Sequence, residues 1–128
     1  MISLLKSLLF GSGHSVDAAE AEQLIAAGAP VVDVREPQEF AAGAIPGAIN
    51  VPLSQVQQRG IEALRSAGVA VDAPVIILAC RSGARSGSAC SALRSSLDTR
   101  ARNLSGGVMA WGSHGLPLTS SGKGAMTS

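Results

Sequence analysis

The sequence predicts an α/β domain in which a parallel sheet carries helices on both faces. Two short apolar runs, at residues 29–34 and 74–79, are rich in β-branched residues and are typical of buried parallel strands. Segments with apolar residues at helical spacing alternate with these runs along the chain. The 128 residues suffice for one hydrophobic core. We therefore expect one main domain at residues 15–118.

Composition and charge exclude several classes of function. The chain is 46% hydrophobic and 15% charged, which is typical of a folded protein. Its net charge of +1 gives no general attraction for nucleic acid, so no nucleic-acid partner is expected. Two cysteines are too few for a disulfide framework, and no Cys/His group has zinc spacing, so neither a metal nor another cofactor is expected.

The two ends of the chain are predicted to lie outside the main domain. Residues 1–14 combine a short amphipathic segment, whose only lysine is Lys6, with a glycine-rich linker. We expect a helix there that packs on its own domain or on a second copy, since one lysine attracts a membrane surface weakly. No apolar run could span a bilayer and no signal-peptide cleavage site follows, so a cytoplasmic protein is expected. Residues 119–128 are small and polar, which predicts a disordered tail.

In the first half of the domain, Asp17 and Glu20 form a capping box, so a helix should begin there and end before Gly28. The strand at 29–34 follows, and then a helical turn at 36–40. Residues 43–52 are punctuated by glycine and proline and read as a loop, with a short strand at 48–51.

In the second half, apolar spacing predicts a helix over 53–68, weakened by Gly60. The strand at 74–79, a helix at 85–97, a strand at 101–104 and a short helix at 108–111 follow. Ligands of such sheets bind beyond the carboxyl ends of the strands. Asp33 and Cys80 both lie at such ends, which predicts a functional edge there.

The segment after the strand at 74–79 places a thiol at the start of a tight basic loop. It reads Cys80-Arg81-Ser82-Gly83-Ala84-Arg85-Ser86. Backbone N–H groups and the positive end of a helix dipole converge at such a place, which stabilises a thiolate and binds an oxyanion. A single cysteine after a strand is more often a small buried hydrophobe. The neighbouring arginines, glycine and serines instead favour nucleophilic catalysis on a substrate with an anionic group.

Three separated segments together resemble the rhodanese family of sulfurtransferases. The Cys80 loop is similar to the family's active-site loop. Residues 31–40 and 43–52 are similar to its amino-terminal signature, and residues 103–107, 110–111 and 115–117 to its carboxyl-terminal one. The segments occur in the family's order and at its usual spacing, and the resemblance covers about residues 15–118.

The resemblance implies a three-layer domain with a central, mainly parallel five-stranded sheet. It also implies a ping-pong reaction in which the Cys80 thiolate takes a sulfur from a donor such as thiosulfate and passes it, as a persulfide, to cyanide or a thiol. Arg81 through Ser86 would then bind the substrate, with Arg81 and Arg85 attracting the sulfonate. Asp33 and Arg35 match the family and are expected to support the site.

The length of the loop distinguishes sulfur transfer from phosphate ester hydrolysis and arsenate reduction. Cysteine-loop phosphatases place five residues between the cysteine and the arginine, whereas four separate Cys80 from Arg85. This favours sulfur transfer over phosphate ester hydrolysis or arsenate reduction. A sulfur-relay module whose acceptor is another protein's thiol stays open. A catalytically silent domain is disfavoured because the cysteine is present.

Four further residues have predicted roles away from the chemical step. Ala44 stands where many family members carry histidine, which we interpret as the loss of a structural hydrogen bond. Cys90 lies about 10 Å along the helix axis from the loop, too far for a disulfide with Cys80, and is predicted to be a core residue. Trp111 is expected to pack near the rim of the site, and His114 to be solvated.

Overall fold

Five strands form a single parallel sheet in a computed structural model that describes residues 15–120. The strands are β1 (Ser15–Val16), β2 (Val31–Asp33), β3 (Ile49–Asn50), β4 (Ile76–Ala79) and β5 (Ala101–Leu104). Their order across the sheet is β1-β5-β4-β2-β3, and all four pairings are parallel. The α/β class and the five-stranded sheet are therefore confirmed.

Seven helices and one 3₁₀ turn connect the strands within residues 15–120. They are α1 (Ala18–Ala26), α2 (Pro37–Ala42), α3 (Leu53–Arg59), α4 (Ile61–Ser66), α5 (Ala84–Ala92), α6 (Arg94–Leu97), the 3₁₀ turn (Asp98–Arg100) and α7 (Gly107–Ser113). The predicted capping box opens α1: the Glu20 N–H donates to Asp17 at 2.8 Å, and the Asp17 N–H donates to Glu20 at 2.9 Å.

Several boundaries differ from the sequence-based expectation. The predicted helix over 53–68 is two helices, because Gly60 takes a left-handed φ of 59° between them. The helix at 85–97 is likewise divided, at Leu93. Strand β1 was not expected, since two residues that pair with Asn103 and Leu104 are too short to show a periodic pattern.

Apolar side chains fill both spaces between the sheet and the helices. Val31 and Ile77 belong to one cluster, which packs against α1 and α7. Val32 and Leu78 belong to the other, which packs against α3, α4, α5 and α6. This alternation follows from successive strand side chains pointing to opposite faces. Cys90 lies buried in the second cluster, which confirms its predicted place in the core.

The segment after α7 folds back onto the loop that precedes β3. Thr119 and Ala44 exchange backbone hydrogen bonds of 2.8 and 2.9 Å, and the Ser120 hydroxyl donates to the Ala42 carbonyl at 3.1 Å. Buried Trp111 donates its ring N–H to the Pro117 carbonyl at 2.8 Å. The first two residues of the predicted tail are thus hydrogen-bonded to the domain. Residues 121–128 and the amphipathic segment at 1–14 lie outside the described residues.

Across residues 15–120, none of the helices combines the length and the hydrophobicity needed to cross a bilayer.

Candidate active site

The Cys80 loop turns tightly between the end of β4 and the start of α5. Gly83 has a left-handed φ of 109°, and its N–H donates to the Cys80 Sγ over 3.1 Å. A Cβ atom at Gly83 would lie 3.4 Å from the Gly106 nitrogen, at the near limit of ordinary van der Waals contact. Glycine is therefore favoured at this position by the backbone conformation.

Hydrogen bonds around the sulfur favour its ionised form. Burial raises the pKa of the Cys80 thiol, but this effect is outweighed. The Ser86 hydroxyl and the backbone N–H groups of Ser86, Gly83 and Ser82 donate to the sulfur and together lower its pKa below the ordinary value. Cys80 therefore sits in a ring of donors that stabilises a thiolate, as the sequence predicted.

Ser86 is buried behind the sulfur and connects it to β5. Its Oγ lies 3.4 Å from the Cys80 Sγ and 2.5 Å from the Asn103 Oδ1. The Asn103 Nδ2 in turn donates to the Gly83 carbonyl at 3.0 Å. One amide side chain thus contacts both Gly83, in the middle of the loop, and Ser86, at its end. This contact arises because β5 lies directly beside β4 in the sheet.

The two arginines of the loop have different surroundings. The Arg85 guanidinium, on α5, donates to both carboxylate oxygens of Glu39, on α2, at 2.8 and 3.0 Å. This pairing raises the pKa of Arg85 and lowers that of Glu39 to about 2. Arg81 is exposed, and its side chain has no partner within residues 15–120. Arg81 therefore keeps its charge available to solvent and solutes, whereas Glu39 offsets the charge of Arg85.

The first turn of α7 holds the Cys80 loop through backbone hydrogen bonds. The Val108 N–H donates to the Cys80 carbonyl at 2.8 Å, and the Met109 N–H donates to the Arg81 carbonyl at 3.2 Å. Gly107, with a φ of 63°, lies so close that a Cβ atom would overlap both carbonyl oxygens. The otherwise unpaired N–H groups at the start of a helix are thereby used to fix the backbone of the Cys80 loop.

Asp33 and Arg35 form a buried ion pair that shapes the neighbouring loop. Arg35 donates to Asp33 at 2.8 Å and to the Gly43 carbonyl at 2.7 Å. The Asn50 amide donates to the carbonyls of both Asp33 and Arg35, at 3.0 and 2.9 Å. The pair thus ties the end of β2 to the chain on either side of α2, which carries Glu39. These contacts are structural, and the support of the Cys80 site by Asp33 and Arg35 stays a prediction.

The structure brings every predicted loop residue to one place, with some changes of detail. Ser82 contributes its backbone N–H rather than its hydroxyl, and Ala84 begins α5. His114 is exposed, as expected. Glu39 and Asn103 lie within the two segments that resemble the family's signatures, and no local signal in the sequence shows that they contact the loop.

The fold and this loop agree with comparisons to known proteins. Residues 17–114 match the Rhodanese-like domain family. The chain belongs to this family. The match runs from the N-cap of α1 to the end of α7, so it includes the whole Cys80 loop and every described element except β1. The family resemblance found in three sequence segments is thus confirmed over residues 17–114.

Named relatives of this rhodanese-like domain include sulfurtransferases. The chain is 41% identical over 88 residues to a sulfurtransferase of Allochromatium vinosum, an alignment covering 69% of this chain and 76% of that protein. It is 35% identical over 105 residues to the human thiosulfate:glutathione sulfurtransferase, covering 76% and 91%. A crystal structure of a rhodanese-related protein from Thermoplasma volcanium superposes with a TM-score of 0.69 at 30% identity, covering 83% and 97%. The chain is thus a member of a sulfurtransferase family.

Proposed function

We propose that this rhodanese-like domain moves a sulfane sulfur from thiosulfate, or a similar anionic donor, to a thiophilic acceptor through a persulfide on Cys80. The observation that carries this proposal is the ring of donors around the Cys80 sulfur, closed by the Gly83 N–H at 3.1 Å and by Ser86 at 3.4 Å. A thiolate is the nucleophile that such a transfer needs, and donors that stabilise it are in place before any substrate binds.

In the first half-reaction, the Cys80 thiolate attacks the outer sulfur of thiosulfate. A new S–S bond forms at Cys80, and the S–S bond of thiosulfate breaks with its electron pair leaving on sulfite. The negative charge of the persulfide then lies on the outer sulfur. Backbone N–H groups of Ser82, Gly83 and Ser86 converge on this region and supply hydrogen bonds for that charge.

In the second half-reaction, a nucleophilic acceptor attacks the outer sulfur and restores the Cys80 thiolate. Cyanide would leave as thiocyanate, and a thiolate would leave as a persulfide. The human relative is named for transfer from thiosulfate to glutathione, which makes a low-molecular-weight thiol a suitable acceptor to test. Cys80 and Cys90 are both free, which suits a reducing compartment, and we propose the cytoplasm.

A protein thiol is the alternative acceptor. Met109, next to the loop on α7, is 51% exposed, and its N–H donates to the Arg81 carbonyl. Because the Met109 backbone contacts the loop, a partner protein that packs on the Met109 side chain would lie near Cys80. In that case the domain would load sulfur from a donor but pass it slowly to cyanide or glutathione.

Mass spectrometry after incubation with thiosulfate tests the proposal. The intact protein should gain the mass of one sulfur, and Cys80→Ser should gain none. Thiocyanate formation on addition of cyanide would then demonstrate turnover, while loading without turnover would point to a protein acceptor. Failure to load with any of several sulfane donors, together with ready hydrolysis of an aryl phosphate, would reject sulfur transfer in favour of a phosphatase.

A further inference from the structure

Ser86 has one hydroxyl hydrogen and three acceptors within reach. Its Oγ lies 2.5 Å from the Asn103 Oδ1, 3.4 Å from the Gly83 carbonyl and 3.4 Å from the Cys80 Sγ. A hydroxyl can donate only once at a time. The short contact with Asn103 therefore competes directly with the donation that favours the Cys80 thiolate.

The orientation of the Asn103 amide is set by the loop itself. Its Nδ2 donates to the Gly83 carbonyl at 3.0 Å, which leaves its Oδ1 beside the Ser86 hydroxyl. Reversing the amide would place its oxygen against that carbonyl, so the assignment follows from the hydrogen-bond network. Asn103 thus has to act as an acceptor toward Ser86.

We propose that Asn103 is a positioning residue that holds the Ser86 hydrogen while the Cys80 sulfur is uncharged and yields it when the thiolate forms. This inference rests on the proposed role of Cys80 as the sulfur carrier. In the thiol form, the Cys80 S–H can donate to the Ser86 oxygen while the hydroxyl donates to Asn103. On ionisation the thiol proton leaves to solvent, and the hydroxyl turns toward the sulfur.

Sulfur loading reverses this exchange. In the persulfide, the Cys80 Sγ is bonded to a second sulfur and no longer carries the charge, which lies on the outer atom. The Ser86 hydroxyl then has its better acceptor in Asn103 again. The Asn103 amide oxygen therefore accepts from the Ser86 hydroxyl both when Cys80 is a thiol and when it is a persulfide. The buried hydroxyl is thus paired throughout the cycle.

Replacing Asn103 or Ser86 removes no charged group from the elements around the loop. Helix α7 carries no ionisable side chain between its ends, and α5 also carries the buried thiol of Cys90. On β5, Arg102 alternates with Asn103 and lies on the opposite face of the sheet. The remaining groups are contributed by the loop, α5, α2 and the end of β2: Arg81, Arg85, Glu39, Asp33 and Arg35.

The pH dependence of Cys80 alkylation by iodoacetamide tests this role, because only the thiolate reacts. Asn103→Leu removes the competing acceptor, so the midpoint of the profile should fall by roughly half a pH unit or more. Asn103→Asp keeps an acceptor and adds a negative charge, so its midpoint should rise. A residue that merely supported the loop would shift both variants upward, because the N–H donors would be lost in each.

A double substitution isolates the hydroxyl. Ser86→Ala alone should raise the midpoint, and Asn103→Leu should then have no further lowering effect in that background. The inference would be overturned if Asn103→Leu still lowered the alkylation midpoint in the Ser86→Ala background. It would also be overturned if Asn103→Leu and Asn103→Asp shifted the midpoint in the same direction. Asn103→Ala replaces the Leu variant if that chain does not fold.

Alkylation needs no sulfur donor, so the two proposals can fail separately. If the wild-type protein never loads sulfur from any donor, the proposed function fails whatever the alkylation profiles show. If it loads sulfur and the Asn103 variants leave the profile unmoved, only the positioning role fails.

Discussion

Arg85 and Glu39, 46 residues apart in the chain, form a two-point ion pair between α5 and α2. Both contacts, at 2.8 and 3.0 Å, have the geometry of charge-assisted hydrogen bonds. Because of this ion pair, the two arginines of the loop are expected to have different roles. Arg85 fixes the start of α5 against α2, and Arg81 retains an unshared charge that, in the proposed reaction, would attract an anionic donor.

Arg81→Gln should raise the KM for thiosulfate by about tenfold with little change in kcat, since a charge-assisted contact contributes about 1.5 kcal/mol. Its stability should change little, because the side chain is exposed and makes no contact that folding depends on. Steady-state assays with cyanide at low and raised ionic strength measure the effect. The wild-type KM should rise with salt, and that of the variant should respond less.

Arg94→Gln is the matched control for this change. Arg94 is also exposed, but it begins α6, at the far end of α5 from the loop. Its removal alters the net charge by the same amount and should leave the KM unchanged. Equal increases in the two variants would assign the effect to overall charge rather than to Arg81.

Glu39→Gln should lower stability at neutral pH, and the loss should disappear in acid. The pKa of Glu39 in the folded protein is about 2, below its ordinary value of 4.5. The pair therefore stabilises the fold above about pH 4.5, and its contribution is lost as the pH falls toward 2. Since about a third of each side chain is exposed, at 36% and 31%, solvent screening limits this contribution to about 0.5 kcal/mol.

Urea unfolding at pH 7, 4.5 and 2.5 measures the difference in unfolding free energy between the wild type and Glu39→Gln. Glu22→Gln serves as the control, because Glu22 is exposed and forms no ion pair within residues 15–120. A difference for Glu39→Gln that stays constant down to pH 2.5 would mean that the carboxylate acts through packing or the helix cap instead.

The Cys80 loop could be predicted from the sequence because its chemistry is local. Thiol, glycine turn and helix start follow one another within seven residues, and helix geometry then aligns the N–H groups. The partners of the loop are not local. Asn103 reaches it only because β5 lies beside β4, and Glu39 only because α2 follows the next strand of the sheet. Sequence spacing does not specify either contact.

The predicted bounds of two helices are wrong because the sequence pattern does not show where the backbone leaves the helix. Apolar spacing continues through Gly60 and through Leu93, so the pattern alone predicts single long helices. The breaks arise from backbone conformation, a positive φ of 59° at Gly60 and a non-helical ψ of 2° at Leu93. Leu93 is nevertheless fully buried, so its side chain preserves the apolar period while its backbone leaves the helix.

Cys90→Ala should leave sulfur loading and turnover largely intact, because Cys90 lies in the core rather than at the loop. Removing its sulfur should cost about 1 kcal/mol of unfolding free energy at pH 7. Burial raises the pKa of this thiol to about 11, against an ordinary value of 9.0. The unfolded chain therefore ionises first, and wild-type stability falls between about pH 9 and 11.

The deficit of Cys90→Ala should accordingly narrow over that pH range and then reverse, because the loss of wild-type stability, up to about 2 kcal/mol, exceeds the deficit at pH 7. Denaturant titrations at pH 7, 9 and 10.5 measure it, and Cys80 contributes equally to both proteins. A collapse of turnover in a folded Cys90→Ala protein would instead indicate a second reactive thiol.

Gly107→Ala should disable the site while its helical neighbour Gly112→Ala does not. A Cβ atom at Gly107 would overlap the Cys80 and Arg81 carbonyls, and the φ of 63° adds strain for any side chain. We expect a loss of about 2 kcal/mol in unfolding free energy together with slower sulfur loading, because the loop must move away from α7. Intact-mass loading rates and urea unfolding measure the two effects.

Gly112 is the matched control because it lies on the same helix, and an added Cβ would meet the Leu118 Cδ1 at an ordinary 3.6 Å. Alanine favours a helix interior over glycine by about 0.5–1 kcal/mol, so Gly112→Ala should be neutral or stabilising and should load sulfur at the wild-type rate. Wild-type loading by Gly107→Ala would show that the contact of α7 with the Cys80 and Arg81 carbonyls is dispensable. In that case the contacts of Gly83 and Ser86 within the loop would suffice to keep the hydrogen-bond donors around the Cys80 sulfur in place.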